Sequence, residues 1–156
     1  MGLVDNIQTE TVAGLPLREA LLVSPRLIIR AAIAMMKRKQ LGCVIAVDAL
    51  ARPVGTFTER SIIRLITEDP SVLDRRPVGD YLDPKWAVVK ESEPVLAALE
   101  AMRKEDLRFV VVTNDVGRVT ALTGQKGMME YIAEHYPQQV MVQQAGTKPS
   151  VEREGA

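Results

Sequence analysis

The run Leu41-Gly42-Cys43-Val44-Ile45-Ala46-Val47-Asp48 returns 66 residues further on as Leu107-Arg108-Phe109-Val110-Val111-Val112-Thr113-Asn114. Both runs are apolar, rich in β-branched residues and too short for a buried helix, so both are predicted strands. Upstream of each, at the same offset, lie Ile29, Ala32, Ile33 and Met36, then Val95, Ala98, Leu99 and Met102. Their i, i+3, i+4, i+7 spacing places each set on one face of a helix. Ser24-Pro25 and Ser92-Glu93-Pro94 offer a capping hydroxyl before a first-turn proline and predict where those helices start.

Downstream comes a polar turn, residues 48–53 in one copy and 114–118 in the other. Matching Val54-Gly55-Thr56-Phe57-Thr58 to Val119-Thr120-Ala121-Leu122-Thr123 makes the second turn one residue shorter and moves the offset to 65. A second helix follows in each copy, carrying Ile62, Ile63, Leu65 and Ile66, then Met128, Met129, Tyr131 and Ile132. Leu21-Leu22-Val23 and Trp86-Ala87-Val88-Val89 are the lead-in strands. The expectation is an α/β chain of two β-α-β-β-α units, with an N-terminal segment over residues 1–16, units over 17–76 and 77–136, and a flexible tail over 137–156. Pro70, Pro77 and Pro84 break any helix across the junction.

The 156 residues suffice for a core that needs no metal or disulfide, and 47% hydrophobic with 26% charged residues is a globular balance. Twenty Lys and Arg against 20 Asp and Glu give no electrostatic footprint for nucleic acid, so none is expected as a partner. The sequence carries no secretory leader pattern and no run long enough to span a membrane, so the expected location is cytoplasmic. One cysteine, Cys43, and one histidine, His135, leave zinc frameworks and nucleophile pairs unsupplied, and Cys43 reads as a small core residue. No enzymatic activity is expected.

A helix, two strands, a polar turn and Gly-x-x-Thr-x-x at the mouth of a second helix resemble the cystathionine-β-synthase (CBS) domain. The likeness is most specific over residues 52–61, and the segment 78–84 resembles the family's lead-in to its second copy. The resemblance implies two CBS repeats packed about a pseudo-twofold axis. It also implies clefts between them for adenosine-containing ligands such as AMP, ADP, ATP or S-adenosylmethionine, regulatory ligands rather than a required cofactor. The implied ligand set is Val23, Gly55, Thr58, Arg60, Ser61, Val89, Arg108, Thr123, Gln125 and Lys126. In the family motif Gly-x-x-Ser/Thr-x-x-Asp the carboxylate reads ribose. Here Ser61 stands at that position in the first copy and, at an offset of 65, Lys126 in the second.

Ser61→Asp is therefore expected to restore ribose binding. Lys126, beside Thr123 and Gly124 in a helical first turn, would oppose the macrodipole unless a phosphate sits there. Trp86 is either a stacking platform for a base or an anchor for the connector. Methionines on the helix faces, Met35, Met36, Met102, Met128 and Met129, suit core or dimer packing, and a homodimer is expected. Two functions remain open: a ligand sensor acting on an enzyme or transporter in another chain, or a ligand-free dimerisation platform.

Overall fold

A computed structural model describes residues 2–137. A short leading helix, α1 (Leu3–Thr9), precedes the first unit: β1 (Leu22–Val23), α2 (Ile29–Lys39), β2 (Cys43–Val47), β3 (Pro53–Thr58) and α3 (Glu59–Glu68). Two 3-10 turns, Pro70–Asp74 and Val78–Tyr81, carry the chain to the second unit: β4 (Val88–Lys90), α4 (Val95–Glu105), β5 (Phe109–Thr113), β6 (Val119–Gly124) and α5 (Gln125–His135). Each unit holds a three-stranded sheet whose middle strand runs parallel to the lead-in strand and antiparallel to the third. The tail expected over 137–156 lies, from residue 138 on, outside the described residues.

The two units keep an offset of 66 from end to end, which corrects the expected change to 65. Cys43 pairs with Thr58 and Phe109 with Gly124; Ala46 pairs with Gly55 and Val112 with Ala121. The turns are equal in length because each is built on the same side-chain device. Asp48 accepts from the backbone N–H groups of Leu50 and Arg52, and Asn114 from those of Val116 and Arg118. Both turns also need a left-handed residue at the same place, Ala51 at φ 59° and Gly117 at φ 83°. Likewise α2 closes on Gln40 and α4 on Asp106, at φ 53° and 51°. Matching threonine to threonine slipped the second strand by one residue, and in a strand a one-residue slip exchanges the two faces.

The helix starts also differ from expectation. Ile28 and Pro94, rather than Ser24 and Ser92, precede the first helical residues, and neither caps with its side chain. Ser24 instead accepts from the Arg26 N–H within the preceding turn. The orphan amides are met by other backbone: Ile29 N–H donates to Arg76 O, and Val95 N–H to Glu10 O.

Among the described residues three apolar clusters hold the fold. One gathers Val23, Ile29, Ala32, Met36, Val44, Phe57 and Leu65 inside the first unit. A second gathers Val89, Val95, Ala98, Met102, Val110, Met128 and Tyr131 inside the second unit, together with Val12 and Leu15 from the leading segment. The third lies between the sheets, where Cys43 and Ile45 meet Val111, Val119 and Leu122. Ile45 and Val111 occupy the same position in their units, so the sheets meet through equivalent faces, as an approximate two-fold arrangement requires.

The leading segment is tied in by polar contacts as well. Val12 N–H donates to Glu93 O at 2.9 Å, Ala13 N–H to Glu91 O at 3.0 Å, and the Tyr131 hydroxyl to the Glu10 carboxylate. Burial, then that bond, pushes the Tyr131 phenol pKa up. Among the described residues no helix is long and apolar enough to cross a membrane, and no cluster of three His, Cys, Asp or Glu side chains could hold a metal ion. Val12 is fully buried. Val12→Ala should therefore destabilise the protein by about 2 kcal/mol in denaturant titration, while Val4→Ala, on an exposed site, stays within about 0.5 kcal/mol of the parent.

Candidate functional site

The β3–α3 junction and the connector meet around one carboxylate. Asp83 Oδ1 accepts from Thr58 Oγ1 at 2.9 Å and from Ser61 Oγ at 2.5 Å, and Oδ2 accepts from Thr56 Oγ1 at 2.7 Å. Its own N–H donates to Thr56 O at 2.7 Å. The strand's alternation and the first helical turn place the hydroxyls. Thr56 and Thr58 are two apart on β3, on one face, and Ser61 is the third residue of α3. Ser61 and Thr56 are buried. A carboxylate offers about four acceptor positions, and three are filled here, so Asp83 is fixed in place by charge-assisted bonds. Thr58 precedes the first residue of α3 but makes no side-chain cap, because its hydroxyl is spent on Asp83.

Asp83 lies on the wall of a cavity of about 300 Å³ between the two units. One side is Thr56, Thr58, Glu59, Arg60, Ser61 and Arg64; the other is Pro84, Lys85, Trp86 and residues 105–109. Arg60 spans the two, donating from Nη1 to Asp106 O at 2.8 Å, where α4 ends. Lys85 stands 3.9 Å from Glu105. Arg64 reaches only Ser61 Oγ, at 3.4 Å, and Arg108 has no carboxylate within 4 Å among the described residues. Two guanidinium groups are thus left facing a pocket edged by Trp86 and Phe109. Cys43 lies behind it, fully buried. Burial, and then the Asp83 charge, push its thiol pKa up, so it takes no part as a thiolate.

The CBS domain family model matches residues 12–68 and again 78–133. The chain belongs to the CBS domain family. No curated protein sequence matches it. Among solved structures it is similar to a CBS domain protein from Pyrobaculum aerophilum complexed with AMP, at 21% identity and TM-score 0.68, covering 88% of this chain and 99% of that one. The CBS domain pair of protein MJ0100, in complex with 5′-methylthioadenosine and S-adenosyl-L-methionine, aligns at 16% identity and TM-score 0.70 over 80% and 96%. A CBS domain-containing protein from Bacillus anthracis aligns at 15% identity and TM-score 0.72 over 85% and 99%. At these identities the likeness is one of fold, and it places this chain with CBS pairs.

Of the residues expected at a CBS ligand site, Thr58, Arg60, Ser61 and Arg108 line the cavity together. Gly55 sits one step away on β3, against Leu82. Val23 and Val89 lie in the cores of their own units. Gln125 and Lys126 are the exposed first two residues of α5, away from that cavity. Thr123 is fully buried, and its hydroxyl has no partner among the described residues. By register Thr123 stands where the first unit has Phe57, and Lys126 where it has Arg60. Sequence reasoning missed Asp83. It is separated from its hydroxyl partners by 22 to 27 residues, so no local motif announces it.

Ser61→Asp now carries the opposite expectation to motif repair. A second carboxylate would stand against Asp83 in a buried site, where burial and like-charge repulsion would raise the pKa of the introduced carboxyl. A raised folded pKa means the penalty is absent below about pH 4 and grows toward pH 7. Ser61→Asp should lower stability by about 3 kcal/mol at pH 7 and far less at pH 4, measured by denaturant titration at both. Thr123→Val should raise stability by about 1 kcal/mol, because it replaces an unpartnered buried hydroxyl by a methyl group of the same shape.

Proposed function

We propose that this CBS pair is a non-enzymatic regulatory module that binds an adenosine-containing nucleotide or a similar anionic ligand in the cavity beside α3. The observation that carries the reading is the meeting, in one pocket between the units, of the hydroxyl-held Asp83 with Trp86, Phe109, Arg64 and Arg108. Each part matches a part of a nucleotide. An aromatic wall stacks a base, a fixed carboxylate accepts from a sugar hydroxyl, and guanidinium groups hold phosphate in a partly dry site. About 300 Å³ is at the small end of ligand pockets and suits a mononucleotide better than a dinucleotide. The AMP and S-adenosylmethionine complexes of similar CBS proteins support the same class of ligand.

Ligand held between the units would act by preferring one relative arrangement of α3 and α4, which Arg60 already bridges. The receiver of that change would be an enzyme or transporter in another chain. The helices α3 and α5 expose Ile63, Ile66 and Met129, apolar groups that suit a second copy, and a homodimer belongs to the proposal. That same apolar surface favours the second reading, a platform that dimerises without ligand.

Titration calorimetry with AMP, ATP and S-adenosylmethionine, paired with thermal shift, separates the two. Saturable binding that raises the melting temperature is expected. Arg108→Ala should weaken AMP by about 1 to 3 kcal/mol and leave adenosine nearly unchanged, since the lost bond is to phosphate. If none of the three ligands binds while light scattering shows a dimer, the platform reading stands instead.

A further inference from the structure

The 66-residue register makes it possible to ask what the second unit places where the first builds its site. Thr56, Thr58 and Ser61 correspond to Leu122, Gly124 and Gly127. The place of Asp83 is taken by Arg18, because Asp83 N–H donates to Thr56 O and Arg18 N–H to Leu122 O, the counterpart of Thr56. All three hydroxyls are therefore replaced by residues without a hydrogen-bonding side chain, and the carboxylate they hold by the guanidinium of Arg18. Two of the cations go the same way, Arg108 corresponding to Gly42 and Arg64 to Glu130, which is already spent on Arg18 at 2.5 Å, while Arg60 keeps a cation in the exposed Lys126. At the aromatic wall, Trp86 corresponds to Ala20.

What occupies the second position is protein. The chain leading into the first unit runs against the second hairpin, with Arg18 and Leu122 exchanging backbone hydrogen bonds at 2.8 and 3.0 Å. Pro16 carries its carbonyl so close to Gly127 that a Cβ there would stand 2.8 Å from the oxygen. A serine like Ser61 does not fit at that point without movement of the backbone.

We propose that the chain carries one ligand site and not two: the α3 cleft takes a single nucleoside phosphate, and its counterpart at α5 is a closed joint between the leading segment and the second unit. This rests on the nucleotide-binding reading above and adds to it the count and the location. The unlike halves also give the pair a direction, since ligand contacts Asp83 of the connector on one side only.

Equilibrium dialysis against AMP, ATP and S-adenosylmethionine in turn, with protein concentration fixed by amino-acid analysis, counts the sites. One molecule per chain is expected, with affinity falling more than about tenfold in both Asp83→Asn and Asp83→Leu. Two molecules per chain overturn the inference and leave the nucleotide-binding reading intact, as does a single site that persists undiminished in both variants. A count of zero for all three ligands removes that reading and this inference with it. The count on the parent protein decides between one and two whether or not the variants fold.

Discussion

A three-stranded sheet covered by helices on one side leaves its other face bare, and that face is what each half of this protein must hide. Ile45 and Val111, equivalent residues of the two middle strands, meet with Cys43, Val119 and Leu122 in a shared cluster that hides both faces at once. Burial of that face is the constraint from which the rest follows. It brings the mouth of α3 opposite the end of α4, and so creates a cavity at the seam. It also explains why the connector is not a free linker. Val78 is fully buried and belongs to the first core, and its N–H donates to Leu27 O at 2.7 Å.

Within that frame Asp83 joins elements that the sequence holds apart. Its side chain binds the end of β3 and the start of α3, while its backbone continues into β4 of the other unit. A carboxylate in this position has its negative charge offset by three hydroxyl dipoles rather than by a cation. The neighbouring guanidinium groups of Arg64 and Arg108 are therefore not consumed in neutralising it.

The fold was legible because it is written twice. Apolar spacing identified the helices and middle strands, and every expected strand overlaps an observed one. What went astray depended on register. Thr58 and Thr123 look alike in sequence, and aligning them hid the fact that the two hairpin turns, held by Asp48 and Asn114, have equal length. That one-residue error put Lys126 opposite Ser61, when its counterpart is the cavity-lining Arg60. Thr58 and Ser61 were named by the family motif and Arg60 and Arg108 by the wider resemblance, and all four line one cavity. The role of Asp83 was not, because only the folded connector carries it to the hydroxyls, and charge alone does not distinguish it from Asp74 or Asp80 on the same stretch.

The leading segment bears on how the chain can fold as it is made. Asn6 is bonded to Tyr136 and Glu10 to Tyr131, and Val12 and Leu15 lie in a core whose other members begin at Val89. Residues made before the first unit are thus completed by residues of the second, and the first unit lies between them. A chain closed in this way has no half that is whole by itself. Its two repeats, although alike in plan, are joined through the leading segment, and that segment's packing waits for the second repeat.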